Sequence, residues 1–244
     1  MKETIVVSGG AGGIGRKIVS LFLDCGFVVV VLDKEASRLN VLKEKHKSDL
    51  LLFDIDVTNT QSISEWKEKF SETFQINHII TLAGRALMEE WKPFELQSLQ
   101  CFKDSIELNL LGHINVIHTC FDFFANDLSN KSILMISSIN AMGAYGLPAY
   151  SSAKSGLYGF MNSTVSEFGK KGIRINTLSL GTVVTPNTLS EPKDFDKLLD
   201  GTALNRFVNA EDVAQISLQI CTKYKTMTGQ NIVLDSGQSK IRVF

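Results

Sequence analysis

Seven short apolar runs, rich in β-branched residues, alternate with helix-length segments along the 244 residues of this chain. The runs are nearly continuous in apolar residues, which is typical of strands buried on both faces of a parallel sheet. Helix-length segments between such strands predict βαβ crossovers. The sequence therefore predicts a single α/β domain over residues 1–244, a doubly wound, mainly parallel seven-stranded sheet with helices on both faces. The predicted strands are Thr4–Ser8, Phe27–Leu32, Leu50–Ile55, His78–Leu82, Ser132–Ser137, Arg174–Leu180 and Asn231–Asp235.

Composition excludes several classes of function. The net charge is −1 and no long basic or acidic block occurs, so nucleic acid and anionic membrane surfaces are not expected as partners. The N-terminus lacks the apolar stretch of a signal peptide, and Phe27–Leu32 is too short to span a bilayer. We expect a cytoplasmic protein with reduced thiols, because its four cysteines are widely spaced. The histidines form no metal-binding motif, so no metal site is expected and His113 and His118 are expected to be structural.

A glycine-rich loop, Ser8–Gly15, follows the first predicted strand and leads into a helix. Gly9 permits a tight turn, whereas Gly13 and Gly15 let a pyrophosphate approach the backbone at the helix N-terminus. Asp33 follows the second strand, eighteen residues after Gly15, where a carboxylate can hold a ribose diol. This combination predicts a dinucleotide-binding Rossmann fold.

Asp33 also bears on which dinucleotide binds. A carboxylate at this position would repel the 2′-phosphate of NADP, and the glycine loop Ser8–Gly15 contains no Arg or Lys that could pair with it. We therefore predict NAD as the cofactor, while the neighbouring cations of Lys34 and Arg38 keep NADP as an alternative.

Tyr150 and Lys154 form a YxxxK pattern. On a helix, residues four apart lie on one face, so the phenol and the ammonium would be neighbours. The cation would lower the pKa of the phenol from its usual value of about 10 and make it a proton shuttle for a substrate oxygen. Taken alone, the pattern is more typical of a tyrosine and a lysine on a half-exposed helix than of a catalytic pair.

Together, the glycine loop, the Ser137–Ser138 pair at a strand end and YxxxK resemble the short-chain dehydrogenase/reductase family over essentially the whole chain. The resemblance implies an NAD(H)-dependent oxidoreductase that interconverts a secondary alcohol and a ketone. It implies a catalytic set in which Tyr150 is the acid/base and Lys154 holds the nicotinamide ribose. Ser138 would orient the substrate oxygen, and Asn109 would hold a water of the proton relay.

The resemblance also implies a set of cofactor-binding residues and a homotetramer or homodimer. Asp56 would contact the adenine, and the Val183 backbone with the Thr185 hydroxyl would hold the nicotinamide carboxamide. The full set is Ser8, Gly9, Gly13, Ile14, Gly15, Asp33, Asp56, Val57, Ala83, Gly84, Tyr150, Lys154, Val183 and Thr185.

Two departures from the family pattern leave questions open. The catalytic serine of the family usually lies thirteen residues before the tyrosine, which matches Ser137, but it is usually the second of the pair, which matches Ser138. We assign Ser138, because loop length varies more readily than strand register. Thr81-Leu82 replaces the usual Asn-Asn, which predicts fewer hydrogen bonds around the sheet and the cofactor ribose.

Two alternatives to this function remain. One is an NADPH-dependent 3-oxoacyl-carrier-protein-type reductase, against which Asp33 argues. The other is a dinucleotide-sensing or interaction protein that kept the fold and lost catalysis, since fold does not establish function. The small-molecule alcohol or carbonyl substrate should lie between Asn140–Tyr145, Gly181–Val183 and a lid at residues 187–207.

Overall fold

A computed structural model describes residues 2–69, 75–125, 127, 129–143, 146–185 and 194–240. Its sheet has seven strands in the order β3-β2-β1-β4-β5-β6-β7, and every neighbouring pair is parallel. The predicted doubly wound sheet is thus confirmed, and each strand end lies within one residue of its expected place. The strands are β1 Thr4–Ser8, β2 Val28–Asp33, β3 Leu50–Asp54, β4 His78–Thr81, β5 Lys131–Ser138, β6 Ile173–Leu180 and β7 Asn231–Leu234.

Helices connect the strands and cover both faces of the sheet. Alternate residues of a strand point to opposite faces, so Val7 packs in a core with Phe22 on one side, whereas Val6 packs in a core with Leu157 on the other. The described α-helices are α1 Gly13–Asp24, α2 Asn40–His46, α3 Thr60–Lys69, α4 Leu99–Ile106, α5 Gly112–Cys120, α6 Pro148–Lys170, α7 Phe195–Asp200 and α8 Ala210–Thr222. None of these described helices combines the length and apolar character that a membrane span requires.

The strand order reverses direction between β1 and β4, which are neighbours in the sheet although β2 and β3 come between them in the chain. Ser8 and Thr81 are register partners at the carboxyl ends of these two strands. Ligands of open α/β sheets bind at such a switch point, outside the carboxyl ends of the strands. The fold therefore brings the glycine loop after β1 and the Thr81–Gly84 segment after β4 to one edge.

Candidate active site

The glycine loop after β1 is closely packed, with no room for side chains at its key positions. Gly9 has a φ of +75°, and a Cβ there would lie 2.6 Å from the Ala83 backbone nitrogen. A Cβ on Gly15 would lie 2.7 Å from the Cα of Gly10 in the same loop. Both positions thus require glycine, and the loop packs its backbone closely at the N-terminus of α1. This is the arrangement that a pyrophosphate needs.

Asp33 is held at the end of β2, directly beside the glycine loop. Its carboxylate accepts the backbone N–H of Ala11 at 3.0 Å and that of Glu35 at 2.9 Å. Each carboxylate oxygen keeps a further lone pair, so Asp33 can accept ribose hydroxyls at the position that the sequence predicted.

Two cations near Asp33, Lys34 and Arg38, are paired with acids. Lys34 Nζ lies 2.8 Å from Asp56, and Arg38 forms an ion pair with Glu35 at 2.5 Å. Partial burial raises the pKa of Asp56, but Lys34 and Thr58 outweigh that effect, so this pKa lies below its ordinary value. Asp56 is consequently an anion with Lys34 as its partner, next to Val57, whose side chain is buried in the core.

The segment after β6 closes against the glycine loop. A Cβ on Gly13 would lie 2.7 Å from the Cβ of Thr185, so the first turn of α1 and this segment are in direct contact. Val183 is buried and forms a bridge to Val208. The fold therefore brings Val183 and Thr185 to the side of the loop where the sequence places the nicotinamide end of the cofactor.

Tyr150 and Lys154 lie on the same face of α6, as their spacing predicted. Lys154 Nζ lies 5.7 Å from the centroid of the Tyr150 ring. The side chain of Lys154 is buried, whereas Tyr150 is partly exposed. The buried cation thus lies against the ring of a partly exposed tyrosine.

Lys154 has two hydrogen-bond acceptors inside the protein. Its ammonium donates to the carbonyl of Ile136 at 3.1 Å and lies 3.2 Å from Nε2 of His113. Burial lowers the pKa of Lys154 to about 7, because a buried cation loses its hydration. The protonation state of Lys154 near neutral pH therefore depends on its two acceptors, the Ile136 carbonyl and Nε2 of His113.

The two candidate serines at the end of β5 face different ways. Ser137 is buried and its hydroxyl donates to the carbonyl of Lys154 at 3.3 Å. Ser138 is partly exposed and accepts the backbone N–H of Asn140 at 3.2 Å. The segment after Ser138, Ile139–Met142, packs against α6. Of the two serines, only Ser138 is partly exposed at the end of the sheet, and its hydroxyl also donates to Oδ1 of Asn140 at 3.4 Å.

Asn109 lies in a π-helical turn, Glu107–Leu111, between α4 and α5. Its side chain is fully buried; Oδ1 accepts the Arg85 backbone N–H at 2.9 Å and Nδ2 donates to the Arg85 carbonyl at 3.0 Å. A Cβ on Gly84 would lie 2.5 Å from Oδ1 of Asn109, so that position requires glycine. The side-chain amide braces the segment after β4.

Glu90 is a buried carboxylate that joins two parts of the site, and sequence reasoning missed it. Its Oε2 accepts the backbone N–H of Tyr150 at 2.6 Å, and its Oε1 accepts the Ser105 hydroxyl at 2.9 Å. Ser105 in turn accepts a hydrogen bond from Asn109 Nδ2 at 3.3 Å. Glu90 belongs to a short 3-10 turn, Met88–Trp91, which has no periodic signal in the sequence.

Thr81, which stands where the family pattern has asparagine, was expected to lack a bracing hydrogen bond, but it makes one. The Thr81 hydroxyl is buried and lies 2.7 Å from Nδ1 of His113, so it still ties β4 to α5. Leu82, by contrast, packs with the apolar core. The bond that His113 makes to Lys154 was also missed, although its position four residues after Asn109 in the helical segment was a usable signal.

The region expected to receive the substrate is described in part. Asn140 is buried after Ser138 and donates to the Gly146 carbonyl at 3.2 Å. Residues 144–145 and 186–193 lie outside the described residues, so the first part of the predicted lid, 187–193, is outside them as well. In the described part of the predicted lid, 194–207, the rings of Phe195 and Phe207 are in edge-to-face contact, with their centroids 6.1 Å apart.

These residues fit a nicotinamide dinucleotide. The hydroxyl oxygen of Ser8 is buried without a hydrogen-bond partner among the described residues, as for a polar atom that serves a ligand or a water. The closely packed glycine loop supplies backbone N–H groups for phosphates, and Asp33 supplies acceptors for a ribose. Tyr150 and Lys154 are the residues that would lie at the nicotinamide end of the dinucleotide.

Comparison with known proteins shows which proteins this chain resembles. Residues 3–195 match the family model described as short chain dehydrogenase. The chain is 26% identical to a short-chain dehydrogenase reductase (3c) of Arabidopsis thaliana, covering 98% of this chain and 95% of the relative. It is 28% identical to the 3-oxoacyl-(acyl-carrier-protein) reductase FabG of Thermotoga maritima, covering 96% and 97%.

A solved structure has the same fold over nearly its whole length. The 3-ketoacyl-(acyl-carrier-protein) reductase of Brucella melitensis, complexed with NADH, superposes with a TM-score of 0.85 at 16% identity, covering 97% of this chain and 98% of that one. The family match covers most of the chain. The chain belongs to the short-chain dehydrogenase/reductase family, whose members are oxidoreductases that use a nicotinamide dinucleotide.

Proposed function

We propose that this protein is an NAD(H)-dependent oxidoreductase that interconverts a secondary alcohol and a ketone, with Tyr150 as the catalytic acid/base. The observation that carries the proposal is the buried Lys154 ammonium 5.7 Å from the Tyr150 ring. A nearby cation stabilises the phenolate form of a tyrosine and lowers its pKa. Tyr150 can then take up a proton near neutral pH, which an isolated tyrosine does poorly.

The residues would share the work in the following way. In alcohol oxidation, the Tyr150 oxygen removes the hydroxyl proton while the C–H bond pair leaves as hydride and the C=O bond forms. NAD, when bound, accepts that hydride. Ser138 donates a hydrogen bond to the substrate oxygen, and Lys154 keeps the charge that favours phenolate. In ketone reduction the same proton returns from Tyr150 to the oxygen.

NAD is favoured over NADP by the charges around the ribose position. Asp33 is fixed beside the loop by Ala11, and its negative charge would repel a 2′-phosphate. Lys34 and Arg38, two cations that follow Asp33 closely in the sequence, are paired with Asp56 and Glu35 and so have less charge to offer that phosphate. These pairs support assigning the ribose site to NAD.

Titration of protein fluorescence with NADH and NADPH tests the cofactor assignment. We expect tighter binding of NADH, and we expect Asp33→Ala to narrow that preference by about tenfold, or ~1.4 kcal/mol, because the variant loses both the diol acceptor and the repulsive charge. Asp24→Asn, which removes an exposed charge at the far end of α1, is the charge-matched control. A wild-type preference for NADPH would overturn the assignment.

The runner-up is an NADPH-dependent 3-oxoacyl-carrier-protein-type reductase. Its support is the 28% identity with a 3-oxoacyl-(acyl-carrier-protein) reductase. The related reductase of Brucella melitensis was solved with NADH, so membership of that class does not by itself call for NADPH. Faster turnover of a 3-oxoacyl thioester with NADPH than with NADH would favour this reading.

Loss of catalysis with retained nucleotide binding, the sensor alternative, predicts NADH binding without turnover. The geometry of Lys154 beneath Tyr150 supports a working enzyme instead. Turnover of any member of a broad panel of alcohols and ketones would exclude the sensor.

Ser137 and Ser138 provide a matched pair for testing the catalytic serine. We expect Ser138→Ala to lower kcat by about 10²-fold, the usual cost of one donor to a reacting oxygen, with little change in melting temperature. Ser137→Ala should lower the melting temperature, because it removes a buried hydrogen bond to the Lys154 carbonyl, and should cost less in kcat. Kinetics and thermal unfolding of both variants separate the roles; the opposite pattern would assign Ser137.

We further propose that the protein is cytoplasmic and consists of one domain, in which residues 187–207 form a lid over the substrate. We also propose that it works as a homotetramer or homodimer. Large apolar side chains are exposed beside α4: Phe94 at 68%, Leu96 at 62% and Leu99 at 80%. Exposed apolar side chains grouped in this way are typical of surfaces that bind another protein. Light scattering after size exclusion measures the oligomeric state.

A further inference from the structure

Three polar side chains form a buried chain of contacts behind the catalytic tyrosine. The Thr81 hydroxyl at the end of β4 lies 2.7 Å from Nδ1 of His113 in α5, and Nε2 of His113 lies 3.2 Å from Nζ of Lys154 in α6. All three residues are buried, with Lys154 3% and His113 1% exposed. The contacts among Thr81, His113 and Lys154 therefore link β4, α5 and α6 next to the Lys154 ammonium, which lies beside Tyr150.

The contacts define the state of the imidazole. An ammonium is only a donor, so Nε2 of His113 must be unprotonated to accept from Lys154. A neutral imidazole then carries its proton on Nδ1, which faces the Thr81 hydroxyl. The pKa of His113 lies well below its usual value, because the ring is buried and the Lys154 cation is adjacent, and a hydrogen bond with the Ala83 backbone opposes this only in part.

Lys154 lacks the usual partner of a buried cation. Among the described residues its nitrogen contacts the Ile136 carbonyl and His113, and no carboxylate lies within 4 Å of it. The other titratable groups in this neighbourhood are the Tyr150 phenol on α6 itself and the Glu90 carboxylate, which bonds the Tyr150 backbone. A buried cation without an anion is costly unless strong acceptors surround it.

We propose that His113 is a positioning residue that keeps Lys154 as an ammonium ion beneath Tyr150, with Thr81 fixing the imidazole tautomer that accepts from it. The inference deepens the proposed function, since it concerns the lysine that we assign to the catalytic set. It also gives Thr81, where the family pattern has asparagine, a task in this chain.

The sign of the effect follows from which form is stabilised. A hydrogen bond to the charged form of a group favours that form, so the His113 acceptor raises the pKa of Lys154 relative to a site without it. Removing the acceptor lets burial lower this pKa further. A Lys154 that is neutral at working pH no longer favours the Tyr150 phenolate, so the proton-accepting form of Tyr150 would be reached only at higher pH.

The test follows the lysine directly in the cofactor-free protein. Lysine labelled with ¹³C at Cε reports the ionisation of Lys154 by NMR between pH 5 and 11, and Lys154→Met assigns its signal. We expect the wild-type signal to titrate near 7. In His113→Leu, which fills the space without an acceptor, the midpoint should fall by about one pH unit. In His113→Gln, whose amide oxygen reaches a similar point, it should stay near the wild-type value.

Two outcomes would overturn the proposal. One is a Lys154 midpoint in His113→Leu that equals or exceeds that of the wild type; the other is an equal fall in His113→Gln and His113→Leu. If His113→Leu fails to fold, Thr81→Val replaces it, with Thr81→Ser as its control. Valine removes the partner of Nδ1 and should also lower the midpoint, whereas an unchanged midpoint contradicts the role of Thr81. The measurement requires no substrate, so it succeeds or fails independently of the proposed reaction.

Discussion

Replacing Tyr150 with phenylalanine should lower kcat by roughly 10³-fold, which is ~4 kcal/mol of transition-state stabilisation. The substitution removes only the phenol oxygen that takes and returns the substrate proton. Lys154 keeps its acceptors on Ile136 and His113, and the Tyr150 backbone keeps its bond to Glu90. NADH affinity, measured by fluorescence titration, should therefore change little.

The assay follows NADH formation with the best substrate from a panel of secondary alcohols, from pH 6 to 10. Tyr224→Phe is the matched control, because it removes an exposed phenol that bonds Gln219 at 3.1 Å, on the far side of α8. A Tyr150→Phe variant with more than about a tenth of wild-type kcat would contradict the assigned acid/base, since general acid–base catalysis normally contributes more than that.

The fold could be predicted closely because buried parallel strands carry their own signal. Val28–Leu32, for example, is a continuous apolar run, which is typical of a parallel strand buried on both faces. The spacing of Tyr150 and Lys154 was equally informative, because helical geometry alone places them on one face. Strand ends were less certain. Since side chains alternate along a strand, whether β5 ended at Ser137 or Ser138 decided how each serine was interpreted.

The remainder of the site rests on contacts between residues far apart in the chain. Glu90 reaches Tyr150 across 60 positions, and His113 reaches Lys154 across 41. Local spacing can place His113 on the helix face of Asn109, but it does not identify the partner of either Glu90 or His113, because those partners come from different elements. The sequence suggested a structural role for His113, and the structure adds the contact with Lys154 that makes this role relevant to catalysis.

Glu90 should prove to be the most consequential residue outside the catalytic set. Glu90→Leu would leave the backbone N–H groups of Tyr150 and Leu87 and the Ser105 hydroxyl without their acceptor. Each buried donor left unpaired costs about 1–3 kcal/mol, so we expect a loss of about 3 kcal/mol or more. For a chain of this size that corresponds to a fall of roughly 6–12 °C in melting temperature.

Activity should fall as well, because the same carboxylate sets the position of two residues that we assign to the catalytic set. Glu90 holds the first turn of α6 through Tyr150, and it holds Asn109 through Ser105. Displacements of about 1 Å at a reacting group can cost 10²-fold in rate, so kcat should fall by about tenfold or more while KM changes less.

A graded series separates this role from a general loss of stability. Glu90→Gln keeps the shape and one acceptor oxygen, so it should retain part of both the melting temperature and kcat. Glu95→Leu, at an exposed position of the same connection, should stay within about 0.5 kcal/mol of the wild type. Measuring kcat well below each melting temperature then separates a loss of catalytic geometry from a loss of stability. A Glu90→Leu variant that melts lower but keeps wild-type kcat would show that the carboxylate supports the fold alone and leaves the catalytic geometry to other contacts.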